Sequence, residues 1–299
     1  MIKTKAKGLA ILAAAIVLPT AGALAGDFVD LSETGSASGD ITAAYSIVPG
    51  GSVLHFERAN SQPTGTGVFD PFLTLDSKSP DKQASTGNSN LEQGYNTTTD
   101  NTTLPLDDLR DHWNKNVQVK DLKNLNGFYV FELDANETGN GSDNRFLSVD
   151  NIRIYTSSQG SKTTSDISQL GTLRVALNDP NVIDPTAPSP KWVLIDSTRN
   201  TPLQKTSGSG SSDMYVFVPA NVLDGASPDD YLYFYNLNGL HYAADGYDGT
   251  AADAGYEEWA ALTGPNQVPD GGNTLLLLGS ALTALAFVAG RRKLATQNA

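Results

Sequence analysis

The residues of this sequence best suited to chemistry are the carboxylates of one glycine-rich stretch, residues 245–258. They are Asp245, Asp248, Asp253, Glu257 and Glu258. Carboxylate oxygens on a loop that glycine can bend are the ligands that Ca²⁺ prefers. The spacing differs from that of an EF-hand, and the sequence has no D-x-D-x-D-G run. The stretch therefore indicates either a calcium site, with Asp245, Asp248, Asp253 and Glu257 as ligands, or a solvated acidic loop.

Two further carboxylate pairs are weaker candidates for a binding site. One is Asp70 with Asp76, and the other is Asp143 with Asp150. Asp150 lies in the run VDNIRIY, which resembles the strand that ends many carbohydrate-binding jelly rolls. This resemblance implies a glycan-binding module as one hypothesis for the domain.

Other kinds of chemistry have little support in the sequence. The three histidines, His55, His112 and His241, are too scattered to predict a zinc site. The chain has no cysteine, so it has neither disulfides nor thiolate ligands, and no G-x-S-x-G elbow occurs. We therefore predict a protein without catalytic activity. A glycan hydrolase stays as an alternative, because the distance between two carboxyls cannot be read from their sequence spacing.

A row of tyrosines marks one of the elements that must position these residues. Tyr231, Tyr233 and Tyr235 alternate along a β-type run and should share one face of a strand, with Leu232 and Phe234 on the other. Such a row favours cross-strand packing. Stacking of the rings on a sugar is the alternative.

Short β-type runs recur between loops rich in Asn, Asp, Gly, Ser and Thr. The seven clearest cover residues 52–56, 128–133, 146–155, 172–177, 191–195, 214–218 and 231–235. The run 41–48 is weaker, and helical character is limited to residues 106–113 and 255–262. Many short strands with almost no helix predict an all-β fold, an antiparallel β-sandwich or jelly roll. Residues 78–90 and 206–212 lack apolar side chains large enough to offset the entropy cost of ordering, and we interpret them as mobile loops of a single domain.

The N-terminus has the organisation of a secretory signal peptide. Lys3, Lys5 and Lys7 precede an apolar run over residues 9–18, and an A-x-A site follows with Ala23 and Ala25. We expect residues 1–25 to form a signal helix that signal peptidase removes after Ala25. The domain would then comprise residues 26–267.

The C-terminus carries a second apolar segment, residues 274–290, which has no charged residue. As a helix it would be roughly 25 Å long, slightly short of a hydrocarbon core of about 30 Å. The basic residues Arg291, Arg292 and Lys293 follow at once, and they should stay cytoplasmic. We expect a transmembrane helix that leaves the preceding domain outside the inner membrane.

A short proline-containing motif precedes this apolar segment. Its residues are Val268, Pro269, Asp270, Gly271 and Gly272. A proline–acid motif, an apolar helix and a basic end resemble the PEP-CTERM sorting signal, in a form close to its Val-Pro-Asp-Ser-Gly variant. The resemblance implies that an exosortase, a membrane-embedded transpeptidase-like enzyme, recognises residues 268–299 and cuts near the motif.

The domain itself is similar to a group of PEP-CTERM proteins over roughly residues 65–260. The similarity is carried by residues 65–73, 92–97, 210–219 and 255–259. It implies one continuous domain on a sorted surface or matrix component and brings no activity with it.

The net charge of residues 26–269 limits the kinds of partner that the protein can bind. Three of the 20 basic residues lie in each terminal segment, and Asp270 is the one acid of 33 there, so residues 26–269 carry a net charge near −18. Such a surface repels nucleic acid and anionic lipid. The sequence therefore predicts a protein that is exported, anchored for a time in the inner membrane, and then placed at the cell surface or in an exopolysaccharide matrix. The alternative function is a calcium-supported carbohydrate-binding module.

Overall fold

The chain folds into β-strands joined by loops. The computed structural model describes residues 27–32, 35–59, 69–76, 90–98, 106, 114–137, 145–181, 189–197, 212–241, 250–252 and 256–263. The strands in these residues are β1 (Phe28–Asp30), β2 (Ser38–Thr42), β3 (Tyr45–Ser46), β4 (Val53–Arg58), β5 (Leu73–Leu75), β6 (Glu92–Tyr95), β7 (Val117–Gln118), β8 (Phe128–Asp134), β9 (Phe146–Ser157), β10 (Thr172–Ala176), β11 (Trp192–Asp196), β12 (Met214–Pro219), β13 (Tyr231–Asn238) and β14 (Glu257–Ala261). The helices described are three short 3₁₀ turns, Val119–Asp121, Ile167–Gln169 and Ala220–Leu223. Across these ranges no helix has the length and apolar character needed to span a membrane. The predicted all-β class is confirmed.

The strands form two sheets. The six-stranded sheet has the order β2-β4-β12-β8-β14-β5. The eight-stranded sheet is centred on the two long strands β9 and β13, with β10 and β11 sharing the outer edge of β9, and β6 and β7 sharing the outer edge of β13. Strands β3 and β1 extend it beyond β10 and β11. The described pairings are antiparallel except that of β1 with β11, which is parallel.

The inner faces of the two sheets share one apolar core. The ring of Phe234 on β13 lies 4.9 Å from that of Phe131 on β8 and 4.7 Å from that of Trp259 on β14, measured between ring centroids. A hydrogen bond crosses the same space, because Trp259 Nε1 donates to Asn236 Oδ1 at 3.0 Å. Buried aromatic pairs of this kind stabilise a fold through both the area they bury and their ring geometry.

The seven clear strand predictions are confirmed, and the weaker ones need correction. The run 41–48 supplies the end of β2 and all of β3, with a break between them. Residues 255–262, predicted to be helical, instead contain β14. Glu257, Glu258 and two alanines favour a helix locally, but pairing with β8 and β5 on both edges overrides that preference. Of residues 106–113, only Leu106 is described.

Asn96 completes the edge of β13 between β6 and β7. Its side-chain oxygen accepts a hydrogen bond from the backbone N–H of Phe234 at 2.6 Å, and its amide nitrogen donates to the carbonyl of Leu232 at 3.0 Å. The side chain thus does what a neighbouring strand's backbone would do in a continuous ladder. It is fully buried.

The outer face of the eight-stranded sheet has a second buried cluster. Its aromatic members, here called the outer tyrosine cluster, are Tyr95, Tyr155, Tyr233 and Tyr235. Residues 158–171, the covering loop between β9 and β10, are tied to this face by hydrogen bonds. Tyr95 donates to the carbonyl of Thr164 at 2.8 Å, and Tyr233 donates to the carbonyl of Gln159 at 2.8 Å.

Candidate functional site

The predicted calcium ligands fall partly inside the described structure. Glu257 is the first residue of β14, and its side chain points between the two sheets, where the residue is 2 % exposed. Its place on a strand corrects the expectation that all four carboxylates share one flexible loop. Asp245, Asp248 and Asp253 lie outside the described residues. The calcium site stays a prediction.

Glu257 belongs to a group of three buried glutamates, here called the glutamate cluster. The other members are Glu92, the first residue of β6, and Glu137, which follows β8. Glu92 and Glu137 both influence the pKa of Glu257, so their side chains lie in its electrostatic surroundings. Asn238, directly opposite Glu92 on β13, donates from its amide to Glu92 Oε1 at 2.7 Å. Glu92 and Glu137 are as buried as Glu257.

Strand register explains why these side chains face inward. Residues opposite each other on neighbouring strands share a face, and successive residues alternate between the faces. Asn238 lies two residues beyond the inward Asn236, so its partner Glu92 also points inward. Glu257 lies two residues before the core residue Trp259 and therefore takes the same face of β14. The glutamate cluster thus closes one end of the core, here called the acidic end.

Burial dominates the electrostatics of the glutamate cluster. It raises the pKa of Glu257 well above the usual value for a glutamate, and the negative charge of Glu137 raises it further. The hydrogen bond to Glu92 acts in the opposite direction, whereas the charge of Asp76 adds to the rise of the Glu257 pKa. Burial of this kind favours the protonated, uncharged form of a carboxyl. Within the ranges described above, no three Asp, Glu or His side chains are placed so that they could hold a metal ion.

A second group of carboxyls lies on the outer face of the six-stranded sheet at the same end. Glu258 on β14 is directly opposite Asp134 on β8. Partial burial, followed by the charge of Asp134, raises the pKa of Glu258 to about 7. Asp213, just before β12, is buried, and its burial together with the charge of Asp134 raises its pKa well above the usual range. These groups should therefore bind protons more strongly in the folded chain than in the unfolded one.

The structure brings together Asp150 and His241, which are 91 residues apart in the sequence. His241 Nδ1 lies 2.6 Å from Asp150 Oδ1, and its ring stacks on Trp192 with centroids 3.9 Å apart. The other oxygen of Asp150 accepts hydrogen bonds from Ser148 Oγ at 2.8 Å and from the Leu240 N–H at 2.7 Å. The Ser148 hydroxyl therefore donates to the aspartate and not to the histidine ring. This differs from a serine nucleophile activated by a histidine base.

The remaining predicted residues have separate surroundings. His55 on β4 pairs with Asp40 at 2.6 Å. Asp70 is exposed and forms an ion pair with Lys115, while Asp76 acts electrostatically on Glu257. The other candidates lie outside the described residues, namely Asp143, His112, Ala23, Ala25, Val268, Pro269, Asp270, Gly271, Gly272, Arg291, Arg292 and Lys293.

The tyrosine row is packed under the covering loop. Leu232 and Phe234 point into the main core as predicted, and Tyr233 and Tyr235 are buried on the opposite face of β13. Tyr231 is partly buried against the same cluster. The packing interpretation is therefore confirmed over stacking on a sugar, because neither Tyr233 nor Tyr235 presents an open ring face.

Sequence reasoning missed Glu92 and Glu137. Glu92 is in the short run EQGY and Glu137 is in NET, and neither run has an apolar alternation that marks an inward face.

A comparison of the chain with protein-family models, with curated proteins and with solved structures found no match in any of the three.

Proposed function

We propose that this chain is an exported surface or extracellular-matrix protein without catalytic activity, which an exosortase sorts at its C-terminus. Signal peptidase cuts after Ala25, the helix over residues 274–290 holds the chain in the inner membrane, and the exosortase then cuts near Pro269 and Asp270. The domain is released to the cell surface or to an exopolysaccharide matrix.

The observation that carries this proposal is the order of elements at the C-terminus. A Pro-Asp-Gly motif, an uncharged apolar segment and three consecutive basic residues follow one another within residues 268–293. Positive charge after an apolar segment sets its orientation, with the basic end in the cytoplasm. The net charge near −18 of residues 26–269 suits a protein that must stay soluble outside the cell.

The test is to replace Pro269 and Asp270 together with alanine in the producing cell. Because the motif would no longer be recognised, we expect the full-length chain to accumulate in the inner membrane, as seen by fractionation and immunoblotting. The control changes another proline–aspartate pair, Pro228 and Asp229, in the turn before β13. Release of the Pro269 and Asp270 variant at the level of the unaltered chain would reject the sorting role.

The second candidate is a calcium-supported carbohydrate-binding module, a β-sandwich with jelly-roll connectivity. It is favoured by the two packed sheets, and by the carboxyls gathered at the acidic end, where β13 leads toward residues 242–249 and β14 begins. Asp245, Asp248 and Asp253 would supply the ligands, joined by Glu257 only if its carboxyl turned away from the glutamate cluster.

This candidate predicts that chelation of calcium weakens the fold. Ligands that bind only the folded state raise its stability, so EDTA should lower the melting temperature and weaken binding to the producer's own polysaccharide. Asp245→Ala with Asp248→Ala should copy the effect, while Asp229→Ala, which removes an exposed aspartate elsewhere, should not. If neither EDTA nor the double substitution changes the melting temperature, the proposed calcium site is rejected.

A further inference from the structure

The covering loop folds around a surface depression of about 350 Å³, here called the loop depression. Its polar lining comes from Gln159, Ser161, Lys162, Thr163, Thr164 and Gln169. Four of these six residues are exposed, so the depression is open to solvent. Small-ligand sites measure roughly 300–1,000 Å³ and are mostly lined by apolar groups. The size of the depression therefore suits a small ligand, and its lining suits a polar one.

Hydrogen bonds hold the loop depression in shape from the side of the sheet. The carbonyl of Lys162 accepts from Thr97 Oγ1 at 2.6 Å, and the N–H of Lys162 donates to the Tyr233 hydroxyl at 3.3 Å. The side chain of Asn116 bonds twice to Ser161, accepting from its N–H at 3.2 Å and donating to its hydroxyl at 3.0 Å. A site that is already formed binds at a lower cost, because little has to be ordered when the ligand arrives.

Two residues of the lining show that the shape of the loop is specific. Ser161 has a φ of 53°, in the left-handed region that a serine seldom adopts. Such conformations persist only where the surrounding contacts hold them, and they are common at ligand-binding sites. Gly160 lies against Tyr231 so closely that a Cβ atom there would come within 2.8 Å of the ring. A larger side chain at Gly160 would therefore lift the loop from the sheet.

The lining can both donate and accept hydrogen bonds. The amides of Gln159 and Gln169 and the hydroxyl of Thr163 each offer a donor and an acceptor. The Lys162 ammonium donates to the carbonyl of Gln169 at 2.8 Å and has two further N–H donors. The amide nitrogen of Gln169 donates to Asp166 Oδ2 at 2.9 Å, which fixes the orientation of that side chain. Sugar hydroxyls also donate and accept, so a sugar ring matches this lining better than an acceptor-only anion does.

The charges around the loop depression favour a ligand without charge. Among the described residues of the lining, Lys162 is the one with a charge, and the carboxylate of Asp166 lies next to the lining residue Gln169. Residues 26–269 carry a net charge near −18. A carboxylate or sulfate on the ligand would meet one ammonium against this negative field. A neutral ligand would not be repelled.

We propose that the loop depression binds one neutral sugar unit of a polysaccharide, through the amides of Gln159 and Gln169 and the hydroxyl of Thr163. Binding here rests on the second candidate function for its class of ligand, but it needs neither calcium nor residues 242–249. It is independent of sorting, which acts on residues 268–299.

Gln159→Ala combined with Thr163→Ala tests the site, because both side chains line the depression and neither supplies the described bonds that hold the covering loop. The full-length protein, in a zwitterionic detergent without a sugar headgroup, would be titrated calorimetrically in EDTA. The probes are hexasaccharides of glucose, mannose, galactose and galacturonate. We expect at least one neutral hexasaccharide to bind, and to bind about tenfold more weakly to the variant, since hydrogen bonds to the ligand are lost.

The matched control removes one hydroxyl and one amide elsewhere. Thr42→Ala combined with Asn221→Ala changes two exposed residues outside the depression, and the affinity should stay that of the unaltered chain. If the Gln159 and Thr163 variant fails to fold, hydrogen exchange of the unaltered chain decides. A bound neutral hexasaccharide must then slow exchange within residues 158–171 and leave β12 unchanged.

Three results would overturn the proposal. The first is that no neutral hexasaccharide binds in EDTA, or that galacturonate alone binds. The second is an equal affinity of the variant and the unaltered chain, which would place the sugar elsewhere on the domain. The third is binding that appears only when Ca²⁺ replaces EDTA, which would reject the loop depression and leave the calcium-supported module standing. Conversely, binding in EDTA that Asp245→Ala with Asp248→Ala leaves unchanged would support the depression and count against the calcium site.

Discussion

Single polar side chains replace backbone contacts in the interior of this domain. Asn96 bonds to the backbone of β13 on both sides of Tyr233, and Trp259 and Asn236 join the sheets through one hydrogen bond. Buried polar groups cost stability unless they are paired, so each of these residues depends on its partner. The contacts join positions 23 to 138 residues apart along the chain. Sequence reading gave no sign of them, because local pattern carries no information about such distant partners.

We predict that Asn96→Ala lowers the free energy of unfolding by about 2–4 kcal/mol, because it leaves the Phe234 N–H and the Leu232 carbonyl without this partner in a buried setting. Chemical denaturation monitored by circular dichroism measures the change. Asn116→Ala is the matched control, since Asn116 also bonds through its amide, to Ser161 Oγ at 3.0 Å, but at the exposed surface. Equal losses in the two variants would contradict the role given to Asn96.

At the scale of elements, the strength of the local pattern decided what the sequence could predict. The long strands β8, β9, β12 and β13 contain runs of β-branched and aromatic residues and were predicted. The local pattern does not mark the short strands β1, β5, β6 and β7, and it favours a helix where β14 lies. These strands contain two to five residues each, and their place is set by the long strands on which they pair.

The candidate site could be predicted from the sequence only in part, for the same reason. The acidic stretch 245–258 drew attention to Glu257, but its neighbours Glu92 and Glu137 come from elements 165 and 120 residues earlier in the chain. Only the register of β6 on β13 and of β14 on β5 and β8 turns these side chains toward a common point. Which residues form the glutamate cluster therefore depends on the strand topology.

The covering loop is held on the eight-stranded sheet by hydrogen bonds from tyrosine hydroxyls. Burial raises the pKa of Tyr233 to about 12, so its hydroxyl remains a donor throughout the neutral range. Tyr95 and Tyr233 each bond to the backbone of the loop. Residues 158–171 therefore pack on the outer tyrosine cluster and are positioned by its hydroxyl groups.

We predict that Tyr95→Phe combined with Tyr233→Phe loosens the covering loop while the two sheets stay folded. The phenyl rings keep the packing, but the hydroxyl bonds to Gln159, Lys162 and Thr164 are lost. Hydrogen exchange followed by mass spectrometry should show faster exchange within residues 158–171 and little change in β9 and β12. Tyr129→Phe on β8 is the control. Unchanged exchange in the loop would show that packing alone holds it.

At the scale of the whole molecule, the two ends of the described chain enter different sheets. Strand β1 begins at Phe28, close to the predicted cleavage site, and pairs in parallel with β11, more than 160 residues later in the chain. The ring of Phe28 stacks on that of Trp192 with centroids 4.3 Å apart. The N-terminal strand can therefore take its place only after most of the domain has been synthesised.

The direction of β14 orients the molecule as a whole. This strand starts at the glutamate cluster and runs to the opposite end, where Thr263 pairs with Leu122 beyond the start of β13. A chain held by its C-terminal segment would thus be tethered from the end remote from its carboxyls. The acidic end, with its buried carboxyls, would then face away from the membrane in which that segment is held.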